Sequence, residues 1–514
     1  MELRQEKEKR SNSHPAGLYV LSATEMWERF NFYGMRAILI LFMTKALLYD
    51  KVFSSNMYGS YMSLIYLTPL VGGYVADRYW GNSKSIIYGG IVMALGELVL
   101  FFCGSLYQSS PQVSEMLFFA GLGMMIAGNG FFKANISSLV GQLYPANDRR
   151  IDSAYTIFYM GINLGGAIGP FICGLVGDTG NPGDFKWAFL AGGIGMIISI
   201  IVQKIFQKRL VVSPDGRQLG TVPAGSPPGA FNPLVVAGGL VGFALLMIGI
   251  LYVDARKFAF LPYLLVFAFI ASFLLIYYDK SLSPLEKKRV LVIFIVSFFV
   301  IFFWSAFEQA GASLTFFAEE QTDRSLGFSI GSFDKIPASW FQSLNSSFVF
   351  MFAPLFAWLW LRLGKYEPSA PTKMAIGLLL LAMGFLVIAL GNKGVVPGVK
   401  VSMFWLTSMY LFHTWGELAL SPIGLSLVNK LAPYKFASLL MGVWFMANAL
   451  ANKLAGVLSA LYPDNKSTYL LGFEIRNLYD FFLVFVVSAG VASLILFGLS
   501  KKLQAMMRGN QAVA

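Results

Sequence analysis

The sequence predicts an all-α membrane protein of about fourteen transmembrane helices, grouped as six, two and six. Two observations carry this. The chain is 56% hydrophobic and 13% charged, where a soluble domain has about a quarter of its residues charged. Apolar stretches of about 20 residues recur along it, at 86–104, 234–253, 290–304, 374–390 and 481–498 among others, each long enough to cross a hydrocarbon core roughly 30 Å thick. Continuous apolar runs exclude a membrane β-barrel, whose strands alternate over short segments.

In chain order, a polar tail at 1–15 shows no cleavable signal pattern, so the first span is retained. A six-helix bundle at 16–210 follows, with spans near 20–48, 57–78, 84–105, 115–143, 152–177 and 187–206. Residues 211–285 hold a Pro- and Gly-rich loop, 211–233, and two further spans near 233–253 and 259–279. A second six-helix bundle at 286–502 has spans near 289–320, 336–362, 373–391, 400–431, 436–461 and 479–502, before a tail at 503–514. An internal repeat supports this partition. The stretch from Gly128 to Pro145 aligns without gaps to that from Gly416 to Pro433, matching Gly128/Gly416, Ser138/Ser426, Leu139/Leu427, Val140/Val428, Leu143/Leu431 and Pro145/Pro433. Both lie in the fourth span of a six-helix group, and repeated halves are how secondary transporters are commonly built. The six-plus-six repeat closes without 233–279, so that pair is expected to stand outside the core.

The net charge of +12 marks topology rather than nucleic acid. With the N-terminus placed inside, Lys7, Lys9, Arg10, Lys84, Arg149, Arg150, Lys204, Lys208, Arg209, Lys280, Lys287, Lys288, Arg289, Arg362, Lys365, Lys501 and Lys502 all fall on the cytoplasmic side. Opposite loops hold far fewer, a bias of about two to one in a multi-pass cell-membrane protein with both termini inside. The same charge would attract anionic lipid of the bilayer. Cys103 and Cys173 both sit in apolar spans, which argues against a disulfide framework or a metal site, and no cofactor is expected.

The first span carries Glu25, Glu28, Arg29, Phe32 and Arg36 at intervals of three or four, hence on one helix face. Each charge costs at least about 2.5 kcal/mol at membrane depth, so the group must face partners or a wet cavity. Lys133, Glu308 and Glu417 are isolated charges in other spans. Glu97 reads as a helix-packing residue, and Lys453 as near enough to a helix end to snorkel. His413 lies four residues before Glu417 and reads as a packed bystander as much as a partner. Arg29, Arg36 and Lys133 fall in the first six helices, Glu308 and Glu417 in the last six. A cavity between a basic and an acidic wall suits a zwitterion, either a peptide or a free amino acid. The carboxylates are the candidates for proton coupling, because an opposing guanidinium that moves away changes how tightly a carboxyl holds its proton.

Several motifs then resemble the proton-dependent oligopeptide transporter family of the major facilitator superfamily. After the second span, Gly73-x-x-x-Asp77-Arg78-x-x-Gly81 is similar to the loop signature of that superfamily. The first span resembles E-x-x-E-R-F-x-Y-Y as Glu25-x-x-Glu28-Arg29-Phe30-x-Phe32-Tyr33, with Phe32 replacing a tyrosine. Phe158-Tyr159-x-x-Ile162-Asn163-x-Gly165, Gly416-Glu417-Leu418-x-x-Ser421-Pro422 and Phe131-Phe132-Lys133-Ala134-Asn135 resemble further family segments, the last with Ala134 in place of proline. Trp304-x-x-x-Glu308-Gln309 and Gln342-x-x-Asn345 are also present. The histidine that animal members carry in span two is absent, with Gly59 near its place.

The resemblance implies two six-helix bundles with an inserted helical hairpin, working as a monomer that imports di- and tripeptides with protons by alternating access. It implies that Arg29, Arg36 and Lys133 hold the peptide carboxylate, and that Asn163, Asn345 and Glu417 hold its amino end. Tyr33, Tyr66, Tyr159, Trp304, Ser421 and Trp444 would line side-chain pockets. Glu25 and Glu28 would take part in proton transfer, and Glu308 would pair with Arg36. A membrane enzyme is disfavoured, since no metal cluster or nucleophile–base pair lies at depth. A nutrient receptor would need an appended soluble domain. A carrier of nitrate or another small anion or zwitterion is the nearest alternative, and the intact glutamates of the first span weigh against it.

Overall fold

The computed structural model describes residues 13–508 apart from 146–147, 224, 227–231, 258, 331–332, 397 and 465. Lys7, Lys9 and Arg10, counted above among the inward basic residues, lie outside the described residues, as do residues 1–12 and 509–514 of the two tails. The helices are α1 (Ala16–Lys45), α2 (Lys51–Val75), α3 (Asn82–Leu106), α4 (Pro111–Gln142), α5 (Ile151–Gly177), α6 (Phe185–Leu210), α7 (Pro233–Arg256) and α8 (Leu261–Tyr277). They continue as α9 (Pro284–Phe307), α10 (Ser313–Glu320), α11 (Ser343–Leu363), α12 (Ala370–Gly391), α13 (Met403–Leu431), α14 (Ala437–Ser459) and α15 (Leu478–Arg508).

Among the described residues nine helical segments are long and apolar enough to cross a membrane by length and composition alone. Helix α1 is not among them, because Glu25, Glu28, Arg29 and Arg36 interrupt its apolar sequence. Local chemistry sets several ends. Ser283 caps α9 with a reciprocal box, its hydroxyl accepting from the Glu286 amide while the Glu286 carboxylate accepts from Ser283. Gly81 closes the π-helical turn Ala76–Trp80 at φ 75°, and a side chain there would strike the Thr221 and Gly220 carbonyls. The loop before α7 thus lies against the α2–α3 turn, where Ser83 N donates to Gly220 O at 3.0 Å.

Two expectations are corrected. The span read as continuous over 289–320 breaks into α9, a 3₁₀ turn at Glu308–Gly311, and α10. Tyr58 and Arg36 occupy the space a side chain at Gly311 would fill, so the break lets two polar groups reach the backbone there. Lys453 does not snorkel. It is 1% exposed, and its Nζ lies 2.6 Å from Asp254 Oδ2. Short strand pairs, Ser325–Ile330 with Phe333–Lys335 and Thr468–Leu470 with Phe473–Ile475, were not expected from the sequence.

The chain divides into two compact units. One holds the chain up to Met35, Thr68–Cys173 and Lys186–Ile248; the other holds Arg36–Leu67, Gly174–Phe185 and the chain from Gly249. In the first, α3 crosses α4 so closely that a Cβ on Gly128 would stand 2.5 Å from Gly89 O. In the second, α12 crosses α13 the same way, a Cβ on Gly416 standing 2.7 Å from Gly377 O. The internal repeat is therefore a repeated packing device: third and fourth spans of each group meet on facing glycines. Gly128→Ala and Gly416→Ala should each lower stability by about 1–3 kcal/mol, the usual cost of overpacking. Gly238→Ala on α7, where an added Cβ meets nothing within 4 Å, should be neutral or stabilising. Thermal unfolding midpoints of the three variants in detergent check this.

Helices α7 and α8 turn an apolar surface outward. Leu234, Val241 and Leu245 on α7 and Tyr263, Phe267 and Leu275 on α8 are exposed, as a lipid-facing surface requires. The first half of α7 packs through Val236 and Phe243 on Trp80 and Phe131. Helix α8 packs on α9 and α14.

Candidate functional site

Helix α1 is regular through its charged stretch, so the intervals of three and four put Glu25, Glu28 and Arg29 side by side. Arg29 Nε lies 3.0 Å from Glu25 Oε1 and 2.5 Å from Glu28 Oε2, and the three side chains are at most 4% exposed. Asn129 of α4 donates to Glu28 Oε1 at 3.2 Å. Lys133, one turn further along α4, acts electrostatically on Glu25. The guanidinium of Arg29 stands 5.1 Å from the centre of the Phe32 ring. The phenylalanine that departs from the signature thus meets the cation through its ring face, without needing a hydroxyl. In this unit one guanidinium holds two buried carboxylates, and a lysine and an amide lie beside them.

The other predicted residues of the first unit stand as follows. Asn163 is buried on α5 and donates to Tyr159 O at 2.9 Å, one turn back. Tyr159 is among the exposed aromatics, and Tyr33 packs edge-on against Phe32 at 5.1 Å between ring centres.

In the second unit Arg36 Nη2 lies 2.8 Å from Glu308 Oε2, both side chains buried. Glu308 opens the 3₁₀ turn, and the next residue, Gln309, donates to Ala455 O of α14 at 3.0 Å. Asn345 near the start of α11 donates to Glu417 Oε2 on α13 at 2.8 Å and to Thr414 Oγ1 at 3.2 Å. Arg36 and Glu308 lie near enough to Glu417 to act on it electrostatically. Trp304, one turn before Glu308, packs edge-on with Phe307 at 5.1 Å. Trp444 is buried on α14 with its ring over Gly424 of α13. Ser421, one turn after Glu417 on α13, and Tyr66 on α2 are part-buried. His413 packs against Phe385 with ring centres 4.6 Å apart, the bystander arrangement.

Reading the sequence missed Asn129, which donates to Glu28, and Thr414, which accepts from the Asn345 amide that holds Glu417. Each lies one turn from a singled-out charge, Asn129 before Lys133 and Thr414 before Glu417. Helical spacing alone could have found both. Among the described residues no group of His, Cys, Asp and Glu could hold a metal ion.

The arrangement can exchange ions and protons, because its guanidinium–carboxylate contacts are buried and Glu28 and Glu417 each also accept from a neutral amide. A family model described as POT family matches residues 83–209 and 266–474. The chain is 36% identical over 464 residues to the peptide transporter YePEPT of Yersinia enterocolitica, covering 87% of each chain. It is 31% identical over 476 residues to the di-/tripeptide transporter of Lactococcus lactis subsp. cremoris, covering 88% of this chain and 91% of that one. A crystal structure of a peptide transporter POT in complex with sulfate superposes with a TM-score of 0.81 at 30% identity, covering 97% of each chain. With a family model spanning more than half its length and these relatives matching nearly all of it, the chain belongs to the POT family: it is a multi-pass membrane transporter of the major facilitator fold, and not an enzyme.

Proposed function

We propose that this protein is a proton-coupled symporter that imports di- and tripeptides by alternating access, as a monomer in the cell membrane with both termini in the cytoplasm. One observation carries the reading: two buried carboxylates share a single guanidinium on α1, with a lysine acting on one of them. Glu25, Glu28 and Arg29 alone are one positive charge short, a deficit met either by Lys133 or by a proton, which ties protonation to the position of Arg29 and Lys133. Arg29, Arg36 and Lys133 take the peptide carboxylate; Asn163, Asn345 and Glu417 take its amino group. Tyr33, Tyr66, Tyr159, Trp304, Ser421 and Trp444 contact side chains. Glu25, Glu28, Arg29 and the Arg36–Glu308 pair carry the proton coupling. The peptide transporters named among the relatives support this substrate class.

The test is uptake of a labelled dipeptide into proteoliposomes with and without an inward proton gradient. Accumulation only with the gradient is expected. Gradient-independent equilibration, or nitrate or free amino acids competing as well as dipeptide, would overturn the reading. Recognition of both peptide ends is tested with blocked ligands. An N-acetylated dipeptide should lose most of its affinity for the natural protein and little more for Glu417→Ala. A C-amidated one should behave likewise toward Lys133→Ala. Each lost charged contact in a desolvated site should cost about 2–5 kcal/mol. Blocked peptides that compete as well as free ones would leave the charges a gating role alone.

A further inference from the structure

Helix α1 has a second polar stripe that the charged signature does not use. Thr24 and Asn31 sit two turns apart, on a side of the helix turned away from Glu25 and Arg29. Thr24 donates to Gln203 Oε1 of α6 at 3.1 Å, and Ser199 of α6 donates to Thr24 O at 2.7 Å. Asn31 Nδ2 donates to Glu97 Oε1 of α3 at 2.6 Å. Neither Asn31 nor Glu97 is exposed at all.

Two atoms of that last pair are left over. Asn31 Oδ1 and Glu97 Oε2 are buried, and neither has a hydrogen-bond partner. They are the complementary corners of an amide–carboxyl ring. One proton on Glu97 lets Oε2–H donate to Asn31 Oδ1 while the Asn31 amide donates to Oε1, which satisfies both atoms at once. Without that proton, two acceptor oxygens remain unsatisfied and a carboxylate is buried with no cation acting on it. Burying an unpaired carboxylate is among the most expensive things a fold can do. Among the described residues no charged group acts on Glu97. Gly192 and Gly193 of α6 lie against it, a Cβ on Gly192 standing 3.1 Å from Asn31 Nδ2 and 3.2 Å from Glu97 Oε1. Cys173 of α5 is the neighbouring titratable group.

We propose that Glu97 is a proton-binding site whose proton stays bound throughout transport, closing a neutral ring with Asn31 that positions α1. Glu97 is a positioning residue. It holds the rotation of α1 about its axis without adding a buried negative charge to those of Glu25 and Glu28 beside Arg29 and Lys133. The inference stands on the packing of α1 and holds whatever the substrate is.

Infrared difference spectra of the full chain in liposomes test it directly. The natural protein should show the carbonyl band of a buried, protonated carboxylic acid at every pH at which it transports, and Glu97→Gln should remove that band. Glutamine preserves both hydrogen bonds, so this variant should keep its thermal midpoint, its pH profile and an uptake rate within about twofold of the natural chain. Glu97→Ala strands the Asn31 amide and should reduce uptake about tenfold, with a lowered thermal midpoint. If Glu97→Ala does not fold, the infrared band and Glu97→Gln decide the matter without it. No band attributable to Glu97 overturns the proposal. So does a band that titrates within the transport range, or an altered pH profile in Glu97→Gln, since either means that the proton moves during the cycle.

Discussion

Glu25→Gln or Glu28→Gln is expected to abolish accumulation of peptide against its gradient while leaving a folded protein that still binds peptide. In the structure both carboxylates contact the same Arg29 nitrogen. Replacing either one with an amide leaves the guanidinium a single counter-ion and removes a group that can take up a proton. One pH unit across the membrane is worth about 1.4 kcal/mol for each proton carried, or about a tenfold concentration ratio. The variants should lose that ratio and only equilibrate labelled dipeptide across proteoliposomes. Exchange of internal for external peptide, which needs no net proton movement, should persist. Full proton-driven accumulation in both variants would remove these carboxylates from the coupling mechanism.

The second large effect is on stability. Asp254 at the end of α7 accepts from Ser60 of α2 and Lys453 of α14, each at 2.6 Å, and its other oxygen accepts from the Leu261 amide at the start of α8. The two charged side chains are at most 1% exposed. Helices α2 and α14 meet here on bare backbone, a Cβ on Gly59 standing 2.8 Å from Gly456 Cα. Ser55 and Ser459 hydroxyls bond across the same crossing at 2.9 Å. Arg256, two residues past Asp254, lies over the Phe53 ring at 4.2 Å. Removing one member of a fully buried pair leaves an uncompensated charge, so Asp254→Ala and Lys453→Ala should each cost about 3–5 kcal/mol. The double replacement Asp254→Leu with Lys453→Met should recover most of that, because two buried charges are desolvated no longer. Thermal midpoints of Asp254→Leu, Lys453→Met and the two combined give the answer as a double-mutant cycle. A loss that is simply additive would show that the pair contributes nothing as a pair.

The sequence by itself determined what local periodicity and solvent can determine. The apolar runs are long enough only for helices, because a bilayer leaves every backbone amide to be satisfied within its own segment. The intervals between Glu25, Glu28 and Arg29 put them on one face before any tertiary contact is considered, since a helix face is a local property. The match of Gly128 to Gly416 anticipated two crossings of the same design. It did not reveal their partners, Gly89 and Gly377. Only the tertiary structure decided which faces meet, because that depends on where small residues let helices approach. Asp254 and Lys453 are separated by 199 residues, and Asn31 and Glu97 by 66. No spacing rule joins such pairs. Lys453 therefore read as a snorkelling residue, and Glu97 as a helix-packing residue without a named partner, until the tertiary structure brought Asp254 and Asn31 within hydrogen-bonding distance. The break at Glu308–Gly311 has the same origin. Tyr58 and Arg36, arriving from distant parts of the chain, fill the space beside Gly311 at the end of that turn.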